Sequence, residues 1–120
     1  MSSAVYAITF DCRNADTLAD FWAQAMGRTI DADATDGFAS IGLNGDEPGL
    51  PRLMFVKVPE GKAAKNRVHL DLISADLDTE VRRLVCIGAR QGAEFNEGGA
   101  RWITLTDPED NEFDILADQR

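Results

Sequence analysis

The sequence is poor in the residues that build the common metal and redox sites. Its 120 residues include one histidine, His69, and two cysteines, Cys12 and Cys86. A zinc site made of several histidines and a CxxC metal knuckle are therefore excluded. We expect both cysteines to be reduced, because a chain of this length can bury a sufficient core without a disulfide.

Positive charge and long apolar runs are also scarce. Twelve Lys and Arg stand against 21 Asp and Glu, which gives a net charge of −9 and disfavours partners such as nucleic acid or anionic lipid. The longest apolar stretch, residues 4–10, is far shorter than the roughly 18 residues of a membrane span. The start MSSAVY has neither the basic residues nor the apolar core of a secretory signal. We therefore expect a cytoplasmic protein with no membrane or nucleic-acid partner.

The sequence does contain an internal repeat. AITFDCRNADT, which starts at Ala7, aligns with HLDLISADLDT, which starts at His69, at an offset of 62 residues. The same offset pairs Leu53 with Ile115 near the ends of the two halves. We interpret the repeat as a tandem duplication.

One domain is expected over residues 1–120, because chains of this size rarely split. Within it, the repeat predicts a first module at about 4–58, a linker at 59–66 and a second module at about 67–118. Each half shows alternating strand patterns around one stretch of helical periodicity. The predicted fold class is therefore α+β, with two tandem βαβββ modules.

Caps and turns mark the ends of these elements. Asn14 and Asp76 each stand just before the helical stretch of a half, where side-chain oxygens cap free backbone N–H groups. Near the end of the chain, DPEDN predicts a turn between two strands. Pro108 suits its second position, and Asn111 tolerates a left-handed backbone conformation.

Two such modules, the HLDL strand before an Asp-capped helix, and the ending DPEDN with EFDIL together resemble the vicinal oxygen chelate superfamily. That superfamily includes glyoxalase I, bleomycin-resistance proteins and extradiol dioxygenases. NRVHLDL, with PEGKAAKN before it, is most similar to its small glyoxalase-like domain proteins, and the resemblance runs from about Val5 to Leu116. It implies curved sheets around a cavity for a small-molecule ligand, in a homodimer.

The resemblance also implies where metal ligands would lie. In the second module they are His69 and Asp114; in the first module the matching residues are Ala7 and Arg52, or Met54 if the closing strand is shifted. Ala7 has no donor atom, and Arg52 is a permanent cation. Catalytic metal sites hold typically three protein ligands. With two remaining, we expect an incomplete metal site, and no tightly held metal ion or other cofactor.

Strand alternation predicts that polar and aromatic residues share one sheet face. These residues are Thr9, Asp11, Arg52, His69, Asp71, Trp102, Thr104 and Asp114. An ordinary solvated face is the alternative. The resemblance favours a ligand cavity, for which we predict as ligand-binding residues Thr9, Asp11, Arg52, Trp102 and Thr104.

His69 and Asp71 form the candidate catalytic pair. They are two residues apart on one strand face, roughly 7 Å apart at Cβ. The carboxylate would hold the imidazole in one tautomer, so that His69 acts as a general base. The alternatives are a histidine left from a lost metal site or one that shapes the ligand site by hydrogen bonding. Arg52 and Asp114 likewise form an ion pair in one interpretation, whereas in another Arg52 clamps a ligand carboxylate.

Three functions stay open at this point. The first is a metal-independent glyoxalase-like protein that binds a small organic molecule and either sequesters it or transfers a proton at His69. The second is a metal-dependent lyase, isomerase or dioxygenase that uses His69 and Asp114. The third is a non-catalytic interaction module. The fold alone does not choose between them.

Overall fold

The computed structural model describes residues 1–118 and divides the chain into two compact units. The first unit covers Met1–Gly61, and the second begins at Lys62. The first contains β1 (Ile8–Cys12), α1 (Ala15–Met26), β2 (Phe38–Ile41) and β3 (Leu53–Lys57). The second contains β4 (Asp71–Ser74), α2 (Leu77–Cys86), β5 (Arg90–Glu97), β6 (Ala100–Thr106) and β7 (Glu112–Ala117). Neither helix in this part of the chain combines the length and apolar composition that crossing a bilayer requires.

Each unit builds one mixed sheet with the same central pairing. In the first, β3 lies between a parallel β1 and an antiparallel β2. In the second, β7 lies between a parallel β4 and an antiparallel β6, and β5 adds an outer strand. The α+β fold of two modules is therefore confirmed. The first unit differs from the predicted βαβββ pattern, because after α1 it has two strands and only an isolated bridge between Ile30 and Ile41.

The core of the first unit lies between its sheet and α1. Trp22 and Phe55 are fully buried, and Phe10 lies against both rings at centroid distances of 5.3 and 5.1 Å. The more buried apolar residues recur at helical spacing along α1 and at every second position along β1 and β3, so each element buries one face. Gly27 ends α1 with a φ of 63°, a left-handed conformation that suits glycine.

A polar network anchors the loop that follows β2. The side chain of Arg28 is 4% exposed; it pairs with Glu47 at 3.2 Å and donates to the carbonyl of Pro51. Asp31 accepts hydrogen bonds from the Ser40 hydroxyl and from the N–H groups of residues 42 and 43. Burial acts to raise the pKa of Asp31, but these hydrogen bonds and the charge of Arg28 outweigh it and hold the pKa below its ordinary value.

In the second unit, α2 and the turn before β7 are held by carboxylates. The Asp76 side chain accepts from the N–H of Thr79, whereas Asn14, at the same position in the first unit, makes no side-chain capping bond. The turn over residues 107–110 closes by a bond from the Asp110 N–H to the Asp107 carbonyl. The residue of the turn with a positive φ, 68°, is Asp110, next to Asn111. The Asn111 side chain instead donates to the buried Asp107 carboxylate.

Candidate functional site

The sheet of the second unit brings together four polar side chains, which we name the His69 cluster: His69, Asp71, Thr104 and Asp114. Asp71 on β4 and Thr104 on β6 are both ladder partners of Asp114 on β7. Side chains at paired positions lie on the same face, about 4.5–5.5 Å apart at Cβ. His69 lies two residues before β4 and so shares this face. The strand order therefore assembles the cluster from three separate parts of the sequence.

Short contacts connect these four side chains. His69 Nδ1 lies 3.1 Å from Asp71 Oδ1 and 3.8 Å from Asp114 Oδ2. The Thr104 hydroxyl donates to Asp114 Oδ1 at 2.6 Å. The Asp114 side chain is 18% exposed, compared with 57% for Asp71. Asp114 is thus held among the other side chains of the cluster, while His69 and Asp71 are more exposed to solvent.

This geometry has a direct consequence for proton chemistry. A carboxylate beside Nδ1 favours a proton on that nitrogen, which leaves the lone pair of Nε2 available as an acceptor. The same arrangement orients the imidazole of many general bases. The cluster is therefore suited to accepting a proton at Nε2 of His69 and returning it.

The cluster also has the donors of a metal site. One ligand atom from each of His69, Asp71 and Asp114 lies within 4.8 Å of the others. One imidazole nitrogen and two carboxylate oxygens suit a divalent ion of intermediate hardness. The sequence indicated two ligands here, and the structure adds a third candidate donor, Asp71. The donor set fits a divalent metal ion.

In the first unit, the strand positions that correspond to Asp71 and Asp114 carry side chains of different chemistry. Thr9, five residues before the N-cap of α1, corresponds to Asp71, five residues before that of α2. Its ladder partner is Met54, so Met54 and not Arg52 corresponds to Asp114. The constant offset of 62 fails here because 45 residues separate Thr9 from Met54, but 43 separate Asp71 from Asp114. Neither Met54 nor Ala7 supplies a hard oxygen or nitrogen ligand.

The other predicted residues of the first unit occupy its sheet face and its edge. Thr9 and Asp11 are exposed, and alternate with the more buried Ile8 and Phe10 as predicted. Arg52 lies just before β3, with its guanidinium carbon 5.0 Å from the centre of the Tyr6 ring. Nε of Arg52 is buried and has no hydrogen-bond partner among the described residues.

Trp102 lies on β6 in an aromatic pair that the sequence analysis did not predict. Phe95 is its ladder partner on β5, and the two rings stack at 5.4 Å with an angle of 17° between their planes. The signal for this pair was the dipeptide Gly98–Gly99, because a two-residue hairpin loop with both φ values positive favours glycine and fixes the register. Trp102 thus presents a stacked aromatic surface beside the His69 cluster, on the strand that carries Thr104.

Solved structures share this fold at low sequence identity. An enzyme of the glyoxalase/bleomycin resistance protein/dioxygenase family from Burkholderia phytofirmans is 17% identical, with a TM-score of 0.76 over 96% of this chain and 98% of that one. The fosfomycin resistance protein FosX from Listeria monocytogenes, solved as a mutant with Mn(II) and 1S,2S-dihydroxypropylphosphonic acid, is 13% identical, with a TM-score of 0.76 over 99% and 93%. Lactoylglutathione lyase from Agrobacterium tumefaciens is 12% identical, with a TM-score of 0.66 over 99% and 96%.

Sequence comparison gives the family directly. No curated protein matches this chain. The profile of the glyoxalase-like domain matches residues 7–116, which is nearly the whole chain and includes both units. The resemblance that the HLDL and DPEDN motifs carry is therefore confirmed, and the chain belongs to the glyoxalase-like domain family.

Proposed function

We propose that the chain binds a small organic molecule at the His69 cluster and exchanges a proton with it, without a tightly held metal ion. The observation that carries this proposal is the 3.1 Å contact between His69 Nδ1 and the Asp71 carboxylate. That contact orients the ring and assigns the acceptor role to Nε2. Family membership supports a small-molecule ligand, because glyoxalase-like relatives include enzymes that act on small molecules.

The proton transfer uses groups of this chain alone. Nε2 of His69 accepts a proton from the ligand, while Nδ1–H stays bonded to Asp71. The resulting imidazolium faces two carboxylates, since Asp114 Oδ2 is 3.8 Å from the ring, and opposite charges at this distance stabilise it. Return of the proton to a different atom of the ligand restores His69, so the step balances as an isomerisation. The Thr104 hydroxyl positions Asp114 throughout.

Further ligand contacts are proposed for each unit by itself. Trp102 offers a ring for stacking, which its pairing with Phe95 stiffens. Thr9 and Asp11 offer exposed hydrogen-bonding groups, and Arg52 offers a guanidinium fork for an anionic group. We also propose that the chain acts as a homodimer, as the family resemblance implies. Sedimentation of the purified chain tests this, and a single monomeric species would contradict it.

The second candidate is a metal-dependent enzyme, favoured by the three donor atoms within 4.8 Å of one another. FosX from Listeria monocytogenes, with the same fold, was solved with Mn(II). In this chain His69, Asp71 and Asp114 would hold the ion, which supplies Lewis acidity to a bound oxygen. The two candidates compete for the same side chains, because a ring nitrogen of His69 that binds a metal ion cannot also accept a proton from the ligand.

The tautomer of the His69 ring tests the proton-transfer candidate. His69 is the single histidine, so its ¹⁵N ring signals in an NMR spectrum need no assignment. In the neutral ring we expect the Nδ1–H tautomer. Asp71→Asn should shift the population towards the Nε2–H tautomer, and Asp11→Asn, a matched change in the first unit, should leave it unchanged. Identical tautomer populations in Asp71→Asn and the unsubstituted chain would contradict the proposal.

Metal retention gives the complementary measurement. The chain is mixed with one equivalent of Mn²⁺ or Zn²⁺ and then passed through gel filtration with a chelator. We expect no ion to be retained and the His69 signals to be unchanged. One ion per chain, lost in His69→Ala and in Asp114→Asn, would establish the metal-dependent candidate instead. A screen in which no small organic molecule raises the melting temperature would favour the non-catalytic interaction module.

A further inference from the structure

The first unit contains a cleft of its own, which we name the Arg52 cleft. Two segments line it, Val5–Ile8 and Gly49–Arg52. Its volume of about 320 Å³ is at the lower end of the range for sites that hold small organic molecules. Val5, Tyr6 and Leu50 are largely exposed, and together they give the cleft an apolar rim. Exposed apolar side chains grouped around a concave surface indicate a binding site.

Arg52 supplies the polar group in this apolar setting. Its Nε is buried and has no hydrogen-bond partner among the described residues, although a guanidinium has five N–H donors to satisfy. Within residues 1–61 no carboxylate forms a salt bridge with it. A buried donor without a partner is rare in folded proteins, and it indicates a missing acceptor.

Arg28 in the same unit also has a buried nitrogen without a hydrogen bond, Nη2, but that nitrogen lies 3.2 Å from the Glu47 carboxylate. The Arg28 side chain is 4% exposed, yet it pairs with Glu47 and donates to the Pro51 carbonyl. Arg52 instead lies over the Tyr6 ring at 5.0 Å. A ring in this position fixes the guanidinium plane by a cation–π contact, and it occupies a face of that plane and not the edges along which the N–H bonds point.

We infer that the Arg52 cleft binds the carboxylate group of a small organic acid with an apolar body. The N–H edge of Arg52 donates to the two carboxylate oxygens, a geometry for which the guanidinium fork is matched. Val5, Leu50 and the Tyr6 ring contact the apolar body. This inference rests on the proposed function only for the anion contact offered by Arg52, and not on the His69 cluster, which lies in the other unit.

Benzoate is the probe, because it joins a planar carboxylate to an apolar ring, and benzamide is the uncharged control of the same shape. Each is titrated into the full chain while the backbone amide signals of residues 5–8 and 49–52 are followed by NMR. We expect saturable shifts with benzoate, at least about tenfold weaker binding of benzamide, and similarly weaker binding of acetate. Equal shifts with benzoate and benzamide, or no shifts with benzoate, would overturn the inference.

Variants test the role of the guanidinium. Arg52→Gln should weaken benzoate binding by about tenfold or more, and Arg52→Lys should retain part of it, because an ammonium keeps the charge but loses the fork. Arg82→Gln on α2 is the matched control, and should bind as the unsubstituted chain does. Tyr6→Leu keeps Arg52 and removes the ring beneath it, so an intermediate loss is expected even if Arg52→Gln fails to fold. Unchanged benzoate binding in Tyr6→Leu and Arg52→Lys would overturn the inference.

The outcome is separable from that of the proposed function. Benzoate binding that survives in Asp71→Asn, together with an unchanged His69 tautomer in that variant, supports the Arg52 cleft and removes the proton-transfer proposal. The expected tautomer shift without benzoate binding supports the proton-transfer proposal and removes the Arg52 cleft. The two results depend on different residues in different units.

Discussion

The two units place different chemistry on the same pattern of strand pairing. Across the three shared strands, the row in the second unit consists of Asp71, Asp114 and Thr104. The corresponding row in the first unit consists of Thr9, Met54 and Ser40. Both rows end in a hydroxyl that donates to a carboxylate, but Thr104 donates to its neighbour in the row and Ser40 donates to Asp31, in the segment between α1 and β2.

This difference shows where each unit uses its polar groups. In the first unit the carboxylates of Asp31 and Glu47 hold a loop in place. Asp31 accepts several hydrogen bonds, and Glu47 pairs with the charged side chain of Arg28. In the second unit the carboxylates of Asp71 and Asp114 lie beside a histidine. Asp31 and Glu47 thus hold structural contacts in the first unit, while Asp71 and Asp114 lie in the cluster for which proton transfer is proposed. Three changes test this comparison.

The largest effect is expected in the cores, where the two units should behave alike. Trp22 and Leu84 both lie eight residues after an N-cap, and both are fully buried. Trp22→Ala should cost about 3–5 kcal/mol of unfolding free energy, and Leu84→Ala about 2–5 kcal/mol, because each leaves a cavity. Urea unfolding measures both. A cost below about 1 kcal/mol for either would show that the corresponding unit is not packed as described.

The second change separates structural carboxylates from those of the site. Asp31→Asn removes the negative charge that accepts three hydrogen bonds, and it should lower the free energy of unfolding by about 1–3 kcal/mol. Asp71→Asn, at a side chain that is 57% exposed, should cost less than about 0.5 kcal/mol. Urea unfolding at pH 7 measures both. Equal costs would remove the distinction between the units.

The pH dependence of Asp31→Asn follows from the direction of its pKa shift. The pKa of Asp31 lies below its ordinary value of 3.8 in the folded chain, because its hydrogen bonds and Arg28 outweigh the effect of burial. The stability that its charge contributes is therefore present above the ordinary value and is lost as the pH falls through the lower, folded value. The difference between Asp31→Asn and the unsubstituted chain should narrow on acidification. A difference that stays constant down to strong acid would show that the charge is not responsible.

The comparison also explains what the sequence could predict. Local signals were sufficient for the elements: the Asp76 cap, the alternation around Phe10 and the turn at Pro108 depend on residues within a few positions of one another. Positions set by distant strand pairing were harder. Two extra residues in the first unit moved Met54 into the place expected for Arg52, and no local pattern reports such an insertion.

The site itself was partly predictable for the same reason. His69 and Asp71 are two residues apart, so strand alternation alone was enough to predict a pair. The bond between Thr104 and Asp114 needed the register between β6 and β7, although alternation had assigned both residues to the correct face. The contact of Arg52 with Tyr6 depends on the path of a segment outside any strand, and the sequence contains no signal for it.

The smallest difference between the units is expected in the coupling energy of two aromatic pairs, which differ in burial and in strand direction. Phe10 with Phe55, and Phe95 with Trp102, are both ladder partners on adjacent strands, with interplanar angles of 18° and 17°. Phe55 is fully buried, whereas Phe95 is 39% exposed. Phe55→Ala should therefore cost about 3–5 kcal/mol and Phe95→Ala clearly less, because less apolar surface returns to water. The coupling in a double-mutant cycle should nevertheless be about 0.5–1.5 kcal/mol in both pairs, since it reports the ring contact itself. A coupling near zero for Phe95 and Trp102 would mean that solvent separates the rings, and that Trp102 lacks the support proposed for ligand stacking.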